Sequence, residues 1–223
     1  MPVIHLVRHG QASFGAGTAE GYDVLSDLGR RQAEVAGAEL ARRAPRDPLV
    51  VCGTLERQRD TAELLMKAAG LAGAPRTDPR WNEYDHVGLV GRYGAAPGGD
   101  GGVPAGNRGF QALLDRALEA WMEDDADDGG WERFAAGPSE ALRELAGELG
   151  PGRDAVVVTS GGVLAALCGA LLSAPPAGVV ALNRVAVNAA ITTVAAGSSG
   201  ISLLSFNDHA HFAGDRRPLL TYR

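Results

Sequence analysis

Three short stretches of this chain carry side chains that could do chemistry together. They are Arg8-His9-Gly10-Gln11, Gly53-Thr54-Leu55-Glu56-Arg57 and Ser160-Gly161-Gly162. Each follows a short apolar run that reads as a buried strand. In open α/β sheets, ligands bind just beyond the carboxyl ends of the strands. Two arginines and a histidine at such ends make a cationic cluster in a protein of formal charge −6. The planar guanidinium fork matches phosphate or carboxylate oxygens. The residues alone therefore predict an anion site with a histidine able to act as base or nucleophile. A second reading takes Val158-Thr159-Ser160-Gly161-Gly162 as a strand–Ser–helix turn, with Asp208 and His211 following in serine-hydrolase order. Against it, Val158 stands where that turn needs a small residue.

The elements that must position these groups form an alternating pattern. Residues 3–7 read as a strand, and Ser26 can cap a helix over Asp27–Arg43 in which Leu28, Ala33, Ala36 and Leu40 recur at helical spacing. Leu49–Cys52 reads as a second strand, and residues 57–69 as a helix ending at Gly70. Strand–helix–strand–helix at these lengths predicts βαβ units and a largely parallel sheet. Residues 110–122, 131–134 and 139–149 read as helical, and Ala155–Thr159 as a strand feeding a helix over 162–172. Strands over 185–187, 190–196 and 201–206 finish the chain, the last two joined as a hairpin by Gly197-Ser198-Ser199-Gly200. Residues 88–109, rich in Gly and Pro, read as a mobile excursion, and residues 119–128 hold six acids in ten residues, a solvated helix end and loop. The expectation is a single three-layer α/β domain over 1–223, its mostly parallel sheet carrying helices on both faces, with an irregular insertion at about 88–130.

Composition narrows the function. At 223 residues, with 45% hydrophobic and 22% charged residues, the chain can bury a full core without a metal or disulfide staple. Twenty-one Lys and Arg against 27 Asp and Glu argue against a nucleic-acid surface. Cys52 and Cys168 lie far apart in apolar stretches, which predicts buried free thiols in a reducing compartment. No CxxC or HExxH spacing occurs, and no metal or other cofactor is expected. Residues 155–174 are apolar but broken by Thr159-Ser160-Gly161-Gly162, which suits a buried strand and helix rather than a membrane span. The N-terminus lacks the pattern of a signal peptide, and a cytoplasmic protein is expected.

Five ordered segments carry a resemblance. Leu6-Val7-Arg8-His9-Gly10-Gln11 resembles the Arg-His-Gly motif of the histidine phosphatase superfamily, the phosphoglycerate-mutase-like fold. Leu25-Ser26-Asp27-Leu28-Gly29-Arg30-Arg31-Gln32-Ala33 is similar to its first helix start, and Leu55-Glu56-Arg57 with Thr61-Ala62 to its second arginine segment. Trp81-Asn82-Glu83 falls where the family has its acid, and residues 156–167 resemble the strand and Gly-Gly turn that carry a second histidine. The resemblance implies a metal-independent phosphatase acting on a small phosphomonoester. His9 would be the nucleophile, Arg8 and Arg57 would bind the phosphoryl oxygens, and Glu83 would be general acid and then base. Gln11, Ser13, Ser160 and Gly161 would line the substrate site.

Two departures stand out. Gly15 occupies the position of the asparagine found in mutase-type members, which makes a mutase less expected than a phosphatase. Ser160 replaces the second histidine. A neutral hydroxyl is a weaker donor to an oxyanion than a charged imidazolium. His86 or His211 would then restore the missing charge, with His209 a third candidate. Failing that, the chain would be a catalytically weakened binder of phosphorylated ligands. The expected partner is a small phosphorylated molecule, neither nucleic acid nor membrane, and a homodimer is left open.

Overall fold

A computed structural model describes residues 1–13, 23–94, 107–124, 130–150 and 152–222, with residues 107 and 108 as backbone alone. The first strand, β1 (Val3–Arg8), is apolar except for His5 and its last residue. Helix α1 (Asp27–Arg43) starts where Ser26 Oγ accepts from the Gly29 amide at 3.0 Å. Acidic Asp27 at its start and Arg42 and Arg43 at its end suit the helix dipole. Strand β2 (Leu49–Cys52) leads into α2 (Glu56–Ala69), which ends on Gly70 at φ 70°. A two-residue strand β3 (Arg76–Thr77) and a short 3-10 turn over Pro79–Trp81 precede α3 (His86–Tyr93). Helices α4 (Asn107–Met122) and α5 (Gly130–Glu148) follow, then β4 (Ala155–Thr159) and α6 (Gly161–Leu172). Helix α7 (Pro176–Val185) and the hairpin β5 (Ile191–Gly197) and β6 (Gly200–Asp208) follow, and then two 3-10 turns over Ala210–Phe212 and Gly214–Leu219.

The strands form one six-stranded sheet in the order β3-β2-β4-β1-β5-β6. The β3–β2, β2–β4 and β4–β1 pairs are parallel, and the β1–β5 and β5–β6 pairs antiparallel. This is the single α/β domain with a mostly parallel sheet that the alternating pattern predicts. The period-2 alternation of the strands builds two cores. Val7, Val50, Cys52, Val156 and Val158 pack with Ala36, Leu40, Ala62 and Leu65 of α1 and α2. Ile4, Leu6, Val51, Ala155 and Val157 face the other way, onto Leu142 and Leu145 of α5 and Val163, Leu164 and Leu167 of α6. Burial holds both free thiols high, Cys52 at about 11 and Cys168 at about 12. A third cluster joins Tyr84, Leu89, Leu114, Leu118 and Val180, with Tyr84 and Trp121 ring centroids 5.7 Å apart.

Several expectations need correction. Residues 185–187 are not a strand: Val185 ends α7, which Pro176 opens at a position where its missing N–H costs nothing. The two helical pieces at 131–134 and 139–149 are one helix, α5, with Pro138 inside it and Ser139 Oγ bonded to the Ala135 carbonyl at 2.8 Å. The excursion at 88–109 is partly ordered as α3, whose N-cap Asp85 accepts from the Val87 and Gly88 amides at 3.1 and 3.0 Å. Its residues 95–106, residues 125–129 with the last three acids of the acidic segment, and Gly15 lie outside the described residues. No helix among the described residues is long and apolar enough to cross a membrane.

Candidate active site

β1 and β4 deliver the two central residues side by side. Their last register pair is Arg8 with Thr159, and the His9 amide donates to the Thr159 carbonyl at 2.8 Å. His9 and Ser160 are therefore the first residues beyond two adjacent parallel strands. The His9 ring is 3% exposed. Its Nδ1 lies 2.6 Å from the Gly10 carbonyl oxygen. A carbonyl can only accept, so Nδ1 carries the proton and Nε2 keeps its lone pair. Arg57 Nε–H donates to that Nε2 at 3.2 Å. The ring is thus a neutral imidazole, and its Nε2 lone pair, taken here by Arg57 Nε–H, is free to attack a phosphoryl group once Arg57 turns to the phosphoryl oxygens.

The glycine after His9 lets helix α1 approach the loop. A Cβ on Gly10 would lie 2.4 Å from the Gly29 carbonyl oxygen, and one on Gly29 would lie 2.1 Å from that of Gln11. Main chain packs on main chain there. The Gly10 amide donates to Thr61 Oγ1 at 3.0 Å, and Thr61 in turn bonds the Arg57 carbonyl at 2.7 Å. The Gln11 amide donates to Gln32 Oε1 at 2.8 Å, and its side-chain oxygen sits 3.1 Å from Ser26 Oγ. Ser13 bonds through its amide to the Val24 carbonyl at 2.7 Å.

Both arginines are buried, Arg8 at 2% and Arg57 at 6% exposed. Arg8 NH1 donates to the Ala186 carbonyl. A Cβ on Gly161 would lie 3.4 Å from Arg8 Nε, so the guanidinium lies along the start of α6. Arg57 NH1 pairs with Asp23 Oδ1 at 2.8 Å. Asp23 also accepts from the Glu56 amide at 2.9 Å and the Arg57 amide at 3.4 Å, capping α2, whose own N-cap Leu55 has no side-chain oxygen to offer. Glu83 is held on the same turn as Ser160. Its Oε2 accepts from the Gly162 amide at 3.1 Å, at the positive end of α6. A Cβ on Gly162 would sit 2.3 Å from Glu83 Oε1, so that glycine leaves the carboxylate its place.

Ser160 is fully buried, and Gln58 Nε2 donates to its Oγ at 2.8 Å. This corrects the serine-hydrolase alternative. Asp208 bonds Arg43 and the Ala210 amide, while His211 Nε2 donates to the Ala189 carbonyl at 3.1 Å. No Ser–His–Asp chain is assembled. His211 is turned to the Ala189 peptide, whose amide donates to the Arg8 and His9 carbonyls; its ring packs on Phe212, and burial holds it below the usual histidine range. His209 bonds the Asn207 carbonyl at 2.6 Å, and His86 opens α3 with its ring edge-on to Phe110 at 6.2 Å. The partner found for Ser160 is a glutamine, not a histidine.

Asp23, Gln58 and Asn183 are site neighbours that the sequence did not single out. Asn183 is 2% exposed, neither of its polar side-chain atoms has a hydrogen-bond partner among the described residues, and a Cβ on Gly161 would lie 3.3 Å from its Oδ1. Val179, Val180 and Asn183 are the buried residues of α7, so helical spacing turns 183 inward once that helix is recognised. A cleft of about 320 Å³ lies elsewhere, between β3 and α5. Its ion pairs Arg76–Glu148, Arg80–Asp78 and Arg80–Glu144 leave it no unbalanced cation for a phosphate.

The sequence model of the histidine phosphatase superfamily (branch 1) matches residues 4–97, which include Arg8, His9, Arg57 and Glu83. Glucosyl-3-phosphoglycerate phosphatase of Mycobacterium tuberculosis is 33% identical over 195 residues, 80% of this chain and 78% of that protein. The solved structure of the mycobacterial glucosyl-3-phosphoglycerate phosphatase complexed with VO3 superposes with a TM-score of 0.62 at 30% identity, over 94% of this chain and 100% of that one. Phosphoglycerate mutase of Bacillus anthracis shares the fold, with a TM-score of 0.66 at 18% identity over 95% of each chain.

Proposed function

The chain belongs to the histidine phosphatase superfamily and is a phosphatase, and from that premise we propose that it hydrolyses a small phosphomonoester through a phosphoryl group carried on His9. The observation that carries this reading is the state of the His9 ring, with Nδ1–H on the Gly10 carbonyl and Nε2 facing Arg57. Nε2 attacks phosphorus as the bond to the leaving oxygen breaks. Arg8 and Arg57 take the non-bridging oxygens, where charge spreads in the transition state. Glu83 gives its proton to the leaving oxygen, then takes one from the water that attacks the phosphohistidine, which frees His9 and releases phosphate. Ser160 replaces the second histidine of the family as a neutral donor. The substrate class is a small phosphomonoester, and glucosyl-3-phosphoglycerate, named for the relatives, heads the panel to be tested.

Rapid acid quench after adding a phosphate ester tests the reading. The protein should carry an acid-labile, base-stable phosphoryl group, and His9→Ala should abolish both label and turnover. Turnover that persists in His9→Ala would refute it.

A further inference from the structure

Ser160 stands where the resemblance expects a histidine, and the space beside its hydroxyl is already filled. Gln58 follows Arg57 directly on α2, and both Gln58 and Ser160 are fully buried. Gln58 Nε2 donates to the Trp81 carbonyl at 2.9 Å and to Ser160 Oγ at 2.8 Å. Because a carbonyl can only accept, the Trp81 contact fixes which end of the amide carries nitrogen. Both amide protons are thereby committed, and Ser160 Oγ is an acceptor. The Trp81 carbonyl also takes the Thr159 hydroxyl at 2.8 Å, so both of its lone pairs are used. No acceptor among the described residues takes the proton of Ser160 itself. Consecutive residues of α2 thus hold the first residues beyond adjacent strands, Arg57 holding His9 and Gln58 holding Ser160.

We propose that Gln58 is a positioning residue, which fills the volume an imidazole at position 160 would need and turns Ser160 so that its proton is left for a phosphoryl oxygen at His9. The inference rests on the phosphatase reading and deepens it: Ser160 acts through a partner of its own, and no distant histidine supplies the missing group. Gln58 itself touches no reacting atom.

The test uses the full chain with 4-nitrophenyl phosphate for turnover, calorimetry with inorganic phosphate for binding, and thermal melting. Ser160→Ala should lower kcat about 10²-fold, the loss of one preorganised donor, and weaken inorganic phosphate binding about tenfold. Gln58→Leu should give a similar loss, and the Gln58→Leu/Ser160→Ala pair should be no worse than Ser160→Ala alone. Losses that multiply in the pair would overturn the proposal, because they would make Gln58 act independently of Ser160. Ser160→His alone should lower both Tm and kcat, and adding Gln58→Ala should recover both. This arm holds even where Gln58→Leu does not fold. A Ser160→His protein with unchanged Tm and kcat at or above the native value would overturn the proposal. If the native protein binds phosphate but turns nothing over, the phosphatase reading fails, and phosphate affinity still decides here. A non-multiplying tenfold weakening in Ser160→Ala and Gln58→Leu supports the relay; unchanged affinity overturns it.

Discussion

Asp23 does two things that two substitutions can separate. Its carboxylate caps the first turn of α2 and pairs with Arg57 at 2.8 Å. Asp23→Ala removes both functions, whereas Asp23→Asn keeps an oxygen for the helix amides and loses only the charge. Removing an N-cap costs about 1 kcal/mol. The ion pair, with the Asp23 side chain 26% and the Arg57 side chain 7% exposed, adds about 0.5–1 kcal/mol. Asp23→Ala should therefore cost about 1.5–2 kcal/mol, or about 3–8 °C in Tm for a chain of this size. Asp23→Asn should lose about 0.5–1 kcal/mol, about 1–4 °C. Kinetics should divide differently. Without the carboxylate, the Arg57 charge is no longer offset, so both variants should bind inorganic phosphate more tightly. The guanidinium has also lost a tether, so it is less firmly placed for the phosphoryl oxygens and kcat should fall about tenfold, one weakened hydrogen bond in the transition state. Thermal unfolding followed by circular dichroism and steady-state hydrolysis of 4-nitrophenyl phosphate measure both. If Asp23→Asn melts as low as Asp23→Ala, the cap is idle. If Asp23→Ala leaves kcat and phosphate affinity unchanged, the carboxylate does not govern Arg57.

Two further outcomes follow from other parts of the molecule. Burial in β1 holds the His5 imidazole down at about 4. As pH falls below about 6.5 the unfolded chain takes up a proton that the native one refuses until about 4, so stability should drop by about 3 kcal/mol across that window. His5→Gln should flatten the dependence of unfolding free energy on pH, and equal slopes in the two proteins would refute the argument. In the proposed mechanism Arg8 and Arg57 supply the positive charge, so turnover should survive EDTA; loss restored by magnesium or zinc would contradict it.

The sequence exposed what is local. Arg8 and His9 end an apolar run, so the strand placed them at its carboxyl end, and Arg57 lies in the first turn of a helix that follows another strand. Contacts across the fold left no such trace. Asp23 and Arg57 are 34 positions apart and Gln58 and Ser160 are 102 apart, and no periodicity links them. The histidines show the same limit from the other side. Position after the last strand made His211 a candidate for the site, but only the fold turns its ring to Ala189. Helix α7 leaves little trace in the sequence because Val185 and Val187 are β-branched around a short apolar stretch, which imitates a strand.

The contact of Gly10 with Gly29 has a consequence for descent. A joint made of main chain alone has no side-chain vocabulary, so it offers drift nothing to vary and selection nothing to tune. The nucleophile's address relative to α1 is then inherited through two positions that must both stay glycine. Around so fixed a point the outward positions of α1, such as Arg31, Glu34 and Arg42, and the strands' far ends can change their residues over generations while His9 stays where it was. Such a chain can diverge in what it recognises while its reactive nitrogen keeps one place.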